Sequence, residues 1–177
     1  MQFWVLESTS RKRFNPLARF IMWKQKTSFS HLAVALFYDT GEGTVYHATW
    51  PKPVKCTFEE FFAKYYIQSA YKLKDPTSAS YIDLIGMLEV LIEKNQYYSL
   101  AQLLFIYLQI ECSKLKTVFK MAILNHERGL ICSELLARFL HKGWGLGFKS
   151  NYDSIDLLDA SEKARSIMDE KVKWQLS

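Results

Sequence analysis

An apolar run over residues 32–38 constrains the fold more than any other part of the chain. Such near-continuous hydrophobicity is typical of a strand that is buried on both faces of a sheet. Residues 39–43, Asp-Thr-Gly-Glu-Gly, supply turn chemistry, and residues 44–50 then predict a returning strand that Pro51 and Pro53 end. We therefore expect a hairpin of two strands, 30–38 and 44–50, inside a sheet.

Further strands are predicted early in the chain and most helices later. Residues 2–7 and 65–73 predict strands, and Thr57 with Glu60 forms a capping box that starts a short helix. Helical periodicity marks four segments, and a polar helix follows Asp156; the segments are 14–26, 78–93, 99–124 and 132–141. This order predicts an α+β fold, with an antiparallel sheet packed against helices. We expect one domain over 1–177 with a helical insertion at about 75–125.

Composition excludes several classes of protein. Hydrophobic residues make up 49% of the 177 residues, which favours a filled core over disorder. The net charge of +5 is concentrated near the N-terminus, but it is too small to predict a nucleic-acid partner. Three cysteines lack disulfide or zinc spacing, so we predict no cofactor and no metal. With no signal peptide and no apolar run of membrane length, a cytoplasmic protein is expected, and contact with a membrane surface stays open.

Cys132 is the candidate nucleophile. Gly129 precedes it, and an apolar stripe follows it, so the cysteine is predicted in the first turn of a helix. Unpaired backbone N–H groups and the positive end of the helix dipole favour a thiolate there. The alternative is a small buried thiol with a structural role.

Two histidines are predicted on the neighbouring strands of the hairpin. His31 starts the apolar strand, and the return strand should bring residues 47–50 roughly opposite it. His47 would then hydrogen-bond the far nitrogen of His31 and fix its tautomer, as the orienting member of a triad does. The alternative for each is a structural histidine. Surface positions are expected for His126 and His141.

Three motifs carry a resemblance to a known family. They are Phe-Ser-His at 29–31, Tyr-His-Ala at 46–48 and Leu-Ile-Cys-Ser-Glu at 130–134. With the histidine first and the cysteine last, the chain resembles the circularly permuted NlpC-type papain-like hydrolases. It is most similar to the YiiX-like subgroup, which is related to the lecithin retinol acyltransferase group. The resemblance extends from about residue 4 to residue 158 and is loose over 51–125.

The resemblance implies a fold and a set of site residues. The fold is permuted papain-like, with Cys132 as nucleophile, His31 as general base and His47 as orienting residue. Many YiiX-like proteins carry a carboxylate where this chain has His47, whereas the acyltransferase group uses a histidine. The oxyanion would be bound by the backbone N–H of Cys132 and a second donor that the sequence does not identify. The resemblance also implies four substrate-binding residues, and they are Ser30, Ser133, Glu134 and Tyr81. For Glu134 and Tyr81 the alternative is a structural role.

These residues predict a thiol hydrolase of the cysteine peptidase, amidase or acyltransferase type. A thiolate–imidazolium pair would attack an amide, isopeptide or ester carbonyl and form a thioacyl-enzyme, which water or another acceptor resolves. The thiol pKa should fall well below the free value of about 8.5. The substrate class stays open between a peptide and a lipid-like acyl group, and the oligomeric state is undetermined. The rival prediction is a non-catalytic binding or accessory protein on the same scaffold, which contacts its partner through the basic N-terminal helix.

Overall fold

The computed structural model describes residues 1–12, 15–94, 97–98, 129–148 and 155–172. These ranges form an α+β fold with a six-stranded antiparallel sheet, as predicted, in the order β4-β3-β2-β1-β5-β8. A short parallel pair, β6 with β7, lies apart from that sheet. The strands are β1 Gln2–Ser10, β2 His31–Phe37, β3 Gly43–His47, β4 Val54–Thr57, β5 Tyr65–Leu73, β6 Tyr97–Tyr98, β7 Gly129–Leu130 and β8 Met168–Val172. The helices are α1 Pro16–Gln25, α2 Phe58–Lys64, α3 Tyr81–Lys94, α4 Cys132–Trp144 and α5 Leu157–Ser166.

The predicted hairpin lies in the middle of the large sheet. Strand β2 pairs with β1 on one side and with β3 on the other, with Val34 opposite both Val5 and Tyr46. Both faces of β2 are buried, because alternate side chains enter two different cores. Leu32, Val34 and Leu36 pack with helices α3, α4 and α5. Ala33 and Ala35 enter a smaller core with Phe61 of α2 and the first part of β5.

Helix α4 is the most buried helix of the described chain and packs against β2, α3 and α5. It begins at Cys132, as the sequence predicts, with Ile131 as its N-cap, and ends at Gly145 in the left-handed conformation with φ 66°. Its apolar stripe is fully buried in the larger core; the members are Leu135, Leu136, Phe139 and Leu140. This packing fixes the position of the first turn relative to the sheet.

A buried carboxylate joins the C-terminal helix to the sheet. Glu7 of β1 accepts hydrogen bonds from the hydroxyl of Tyr71, at 2.8 Å, and from the hydroxyl of Ser161 in α5. Arg165 of the same helix lies 2.5 Å from the Glu7 carboxylate. The charge is therefore paired and hydrogen-bonded, as a buried carboxylate requires.

Four strands were absent from the sequence predictions, and they are β4, β6, β7 and β8. Strand β8 has the polar sequence Met-Asp-Glu-Lys-Val and lies at the sheet edge, where one-sided pairing does not require an apolar pattern. Strand β4 is only four residues long and runs directly into α2. The helix predicted over 99–124, and with it most of the predicted insertion, lies outside the described residues. Within the described ranges, no helix has both the length and the apolar character needed to cross a bilayer.

Candidate active site

His31 and His47 form a hydrogen-bonded pair at one end of the central strands. His31 is the first residue of β2 and His47 is the last residue of β3, so the antiparallel pairing brings them together. The Nε2 atom of His31 lies 2.9 Å from the Nδ1 atom of His47. The hydrogen bond predicted from the hairpin is therefore present. Both rings are nearly inaccessible to solvent, with 7% of His31 and 2% of His47 exposed.

Aromatic side chains fix the orientation of both imidazoles. The Tyr65 ring stacks on His31 with 4.8 Å between centroids and 15° between planes. Phe61 meets His47 edge to face at 5.0 Å. The Tyr65 hydroxyl in turn lies 2.9 Å from the Thr49 hydroxyl. The rings are therefore held by packing as well as by their mutual hydrogen bond.

Burial makes both imidazoles poor cations. It lowers the pKa of His31 well below its ordinary value, and the neighbouring His47 lowers that pKa further. Burial lowers the pKa of His47 to about 3, and the nearby positive charge of Lys64 adds to the effect. Two neutral rings share one proton along their hydrogen bond, and in the tautomer in which His31 Nε2 donates, His31 Nδ1 is free to accept another. This favours a neutral imidazole at rest over the ion pair that the sequence predicts.

Cys132 and His31 adjoin different cores. By strand alternation, His31 shares a face with Ala33 and the smaller core, whereas Cys132 packs in the larger core and is 3% exposed. Cys132 is nevertheless close enough to Tyr65, which stacks on His31, to affect the pKa of that tyrosine. Burial raises the pKa of Tyr65, the Thr49 hydrogen bond opposes this, and the thiolate charges of Cys132 and Cys56 add to the rise. The sulfur therefore lies near Tyr65, but Cys132 does not line the pocket that opens beside the histidines.

A pocket of about 870 Å³ opens beside the histidine pair. Both imidazoles line it, together with Ser30 and Tyr65, so one of the four predicted substrate-binding residues faces this space. Four basic side chains also line it, and they are Arg11, Lys12, Lys52 and Lys64. The pocket is thus a basic cleft with two neutral imidazoles in its wall.

The other three predicted substrate-binding residues make structural contacts away from the pocket. The Ser133 hydroxyl donates to the carbonyl of Ile155 at 2.6 Å. Glu134 accepts from Arg138, one turn along α4, at 2.6 and 2.8 Å. The Tyr81 hydroxyl donates to Asp75 at 2.7 Å.

Sequence reasoning did not place Phe61, Tyr65 or Arg11 around the imidazoles. Phe61 and Tyr65 lie at the junction of α2 and β5, and Arg11 follows β1. The signal in the sequence was the capping box at Thr57, because it places a short helix with Phe61 directly before the strand that begins at Tyr65. What the sequence does not show is that this junction packs on the start of β2.

The remaining histidines and cysteines lie outside this cluster or outside the described residues. His141 is exposed, and its Nδ1 lies 3.1 Å from the Leu146 carbonyl. Burial raises the pKa of Cys56 to about 11, and Glu60 adds to that rise. His126 and Cys112 lie outside the described residues.

Comparisons add no family assignment. Among the described residues, no group of three or more His, Cys, Asp or Glu side chains is arranged to hold a metal ion. The sequence matches no protein-family model and no curated protein. The interpretation of the site therefore rests on its own geometry.

Proposed function

We propose that the protein is a thiol hydrolase on a permuted papain-like fold, with Cys132 as nucleophile, His31 as general base and His47 as positioning residue. The observation that carries the proposal is the hydrogen bond between two buried, neutral imidazoles beside an open pocket. In this proposal the Nε2–H of His31 donates to His47, so the Nδ1 atom of His31 is free to accept the thiol proton. Cys132 in the first turn of α4 supplies a sulfur at the positive end of a helix dipole.

The proposed reaction has two steps. The Cys132 thiol gives its proton to His31 Nδ1 as the sulfur forms a bond to an amide, isopeptide or ester carbonyl carbon, and the carbonyl electron pair moves to oxygen. The backbone N–H of Cys132 binds that oxyanion. The bond to the leaving group then breaks as His31 returns the proton to it. Water attacks the thioester carbon and its proton passes to His31. The carbonyl re-forms as the C–S bond breaks, and His31 returns the proton to the sulfur, which releases the acid and restores the thiol.

The burial of Cys132 weighs against this proposal and supports a second candidate. Cys132 packs in the larger core, and the pocket reaches the imidazoles without reaching the sulfur. Helix α1 exposes Leu17, Phe20 and Trp23, the last to 69%. A non-catalytic binding protein that contacts its partner through this basic, aromatic helix accounts for those features.

Covalent labelling separates the two candidates. Wild-type protein should react with an acyl-type thiol probe near pH 7, and Cys132→Ala and His31→Ala should each abolish the mass shift. The matched controls Cys56→Ala and Cys112→Ala should keep it. Circular dichroism of each variant establishes that it is folded. Equal labelling of all three cysteines, or of none, would contradict the hydrolase and favour the binding protein.

A further inference from the structure

The pocket beside the imidazoles has an unbalanced charge. Arg11, Lys12, Lys52 and Lys64 line it, and none of its described lining residues is Asp or Glu. Neither histidine is charged at neutral pH, because burial lowers the pKa of both. The positive charge therefore comes from side chains that stay charged at neutral pH, and it faces no acidic partner across the cleft.

Helix α1 adds to the positive potential. Asn15, its N-cap, and the first-turn residues Leu17 and Ala18 line the same pocket. The first turn of this helix contains no acidic residue. The positive end of the helix dipole thus adjoins the space that the four basic side chains line, while the Ala18 N–H is already bonded to the Asn15 side chain.

Arg11 is held in place rather than extended into solvent. Its Nε donates to the Tyr65 carbonyl at 3.2 Å, and its guanidinium stacks over the Tyr66 ring at 4.3 Å. Its backbone N–H donates to the Lys64 carbonyl at 2.9 Å. The Nε bond uses one of the five donors of an arginine, and a planar fork of donors suits a phosphate.

The basic side chains lie close to the imidazoles. Lys64 influences the pKa of His47 through its charge, and Arg11 is bonded to Tyr65, whose ring stacks on His31. An anion bound here would therefore lie beside the residues that enclose the histidine pair. On the open side, Trp50 is 67% exposed and lines the pocket, so it offers an apolar surface to the rest of the ligand.

From this arrangement we infer that the pocket binds a phosphate group of a small ligand through Arg11 and Lys64. Four cations with no Asp or Glu among the described lining residues favour a dianion over a single carboxylate. The inference concerns the charge of the ligand and goes beyond the proposed hydrolysis. Binding can be measured without any reaction at Cys132, so the two proposals fail independently.

Titration calorimetry with three matched aromatic probes tests this inference. Phenyl phosphate should bind at least tenfold more tightly than benzoate and more tightly still than benzyl alcohol, with affinity falling as salt increases. Arg11→Gln and Lys64→Gln should each weaken phenyl phosphate at least fivefold and leave benzyl alcohol within twofold. Lys94→Gln, an exposed lysine at the end of α3, is the matched control and should change neither.

Three results would overturn the inference. Equal affinity for phenyl phosphate and benzyl alcohol would show that the pocket does not select charge. Benzoate binding as tightly as phenyl phosphate would contradict the assignment to phosphate. A loss in Lys94→Gln as large as that in Lys64→Gln would show only general attraction to a basic protein.

Discussion

The Nε2 atom of His31 and the Nδ1 atom of His47 share a hydrogen bond of 2.9 Å between two buried rings. Because burial lowers the pKa of both residues, the bond joins two neutral imidazoles, one of which donates its proton to the other. The pair is the feature from which the predictions on pH, orientation and reactivity follow.

The first prediction concerns pH and stability. Below about pH 6.5 both histidines become protonated in the unfolded chain. In the folded protein both pKa values are lowered, that of His47 to about 3, so the rings stay neutral to a lower pH. The unfolded state then binds more protons, so stability is complete above pH 6.5 and falls as pH decreases from there. Each histidine contributes a loss of about 1.4 kcal/mol per pH unit.

Urea unfolding at pH 7.5 and 5.5 measures this effect. Between the two pH values the free energy of unfolding of His47→Gln should fall by about 1 kcal/mol less than that of wild type, since one of the two histidines that take up a proton on unfolding is missing. His141→Gln, which removes an exposed histidine, is the control and should follow wild type. An unchanged slope in His47→Gln would show that the ring is not buried as a neutral base.

The second prediction concerns Tyr65 as a positioning residue. Tyr65→Phe keeps the ring that stacks on His31 and removes the hydroxyl that meets Thr49, whereas Tyr65→Leu removes the stacking as well. We expect less than a threefold loss in the alkylation rate of Cys132 for Tyr65→Phe and about a tenfold loss for Tyr65→Leu. Equal losses in the two variants would assign the effect to the hydroxyl rather than to the orientation of the imidazole.

The third prediction concerns the buried carboxylate that holds α5. Glu7→Gln should reduce the free energy of unfolding by about 2–4 kcal/mol. Arg165 loses its charged partner, and the hydroxyls of Tyr71 and Ser161 lose the carboxylate to which they donate. Asp39→Asn is the control, since its pair with the N-terminal amine is exposed. That variant should change stability by less than about 1 kcal/mol. Similar losses in both would contradict a structural role specific to Glu7.

Much of the fold could be predicted because its signals are local. The strand over Tyr65–Leu73, the capping box at Thr57 and the helix start at Cys132 depend on neighbouring residues, and all three are confirmed. Strand β8 was missed because an edge strand exposed to solvent carries no alternating pattern.

The site was less predictable because it is assembled from distant segments. Pairing of β2 with β3 was enough to predict the contact between His31 and His47. The enclosure by Phe61 and Tyr65 depends on how α2 packs on the sheet, which no local pattern records. The sequence also did not show that the alternation along β2 turns His31 toward the smaller core while Cys132 enters the larger one.

The most direct test of the central claim is the rate at which iodoacetamide alkylates Cys132 under native conditions. The measurement uses a Cys56→Ala, Cys112→Ala background with and without His31→Gln, and peptide mapping locates the label. If His31 activates the sulfur, the background protein reacts at least tenfold faster than the His31→Gln variant at pH 7.5. Equal rates, or alkylation only after the protein is unfolded, would contradict the claim.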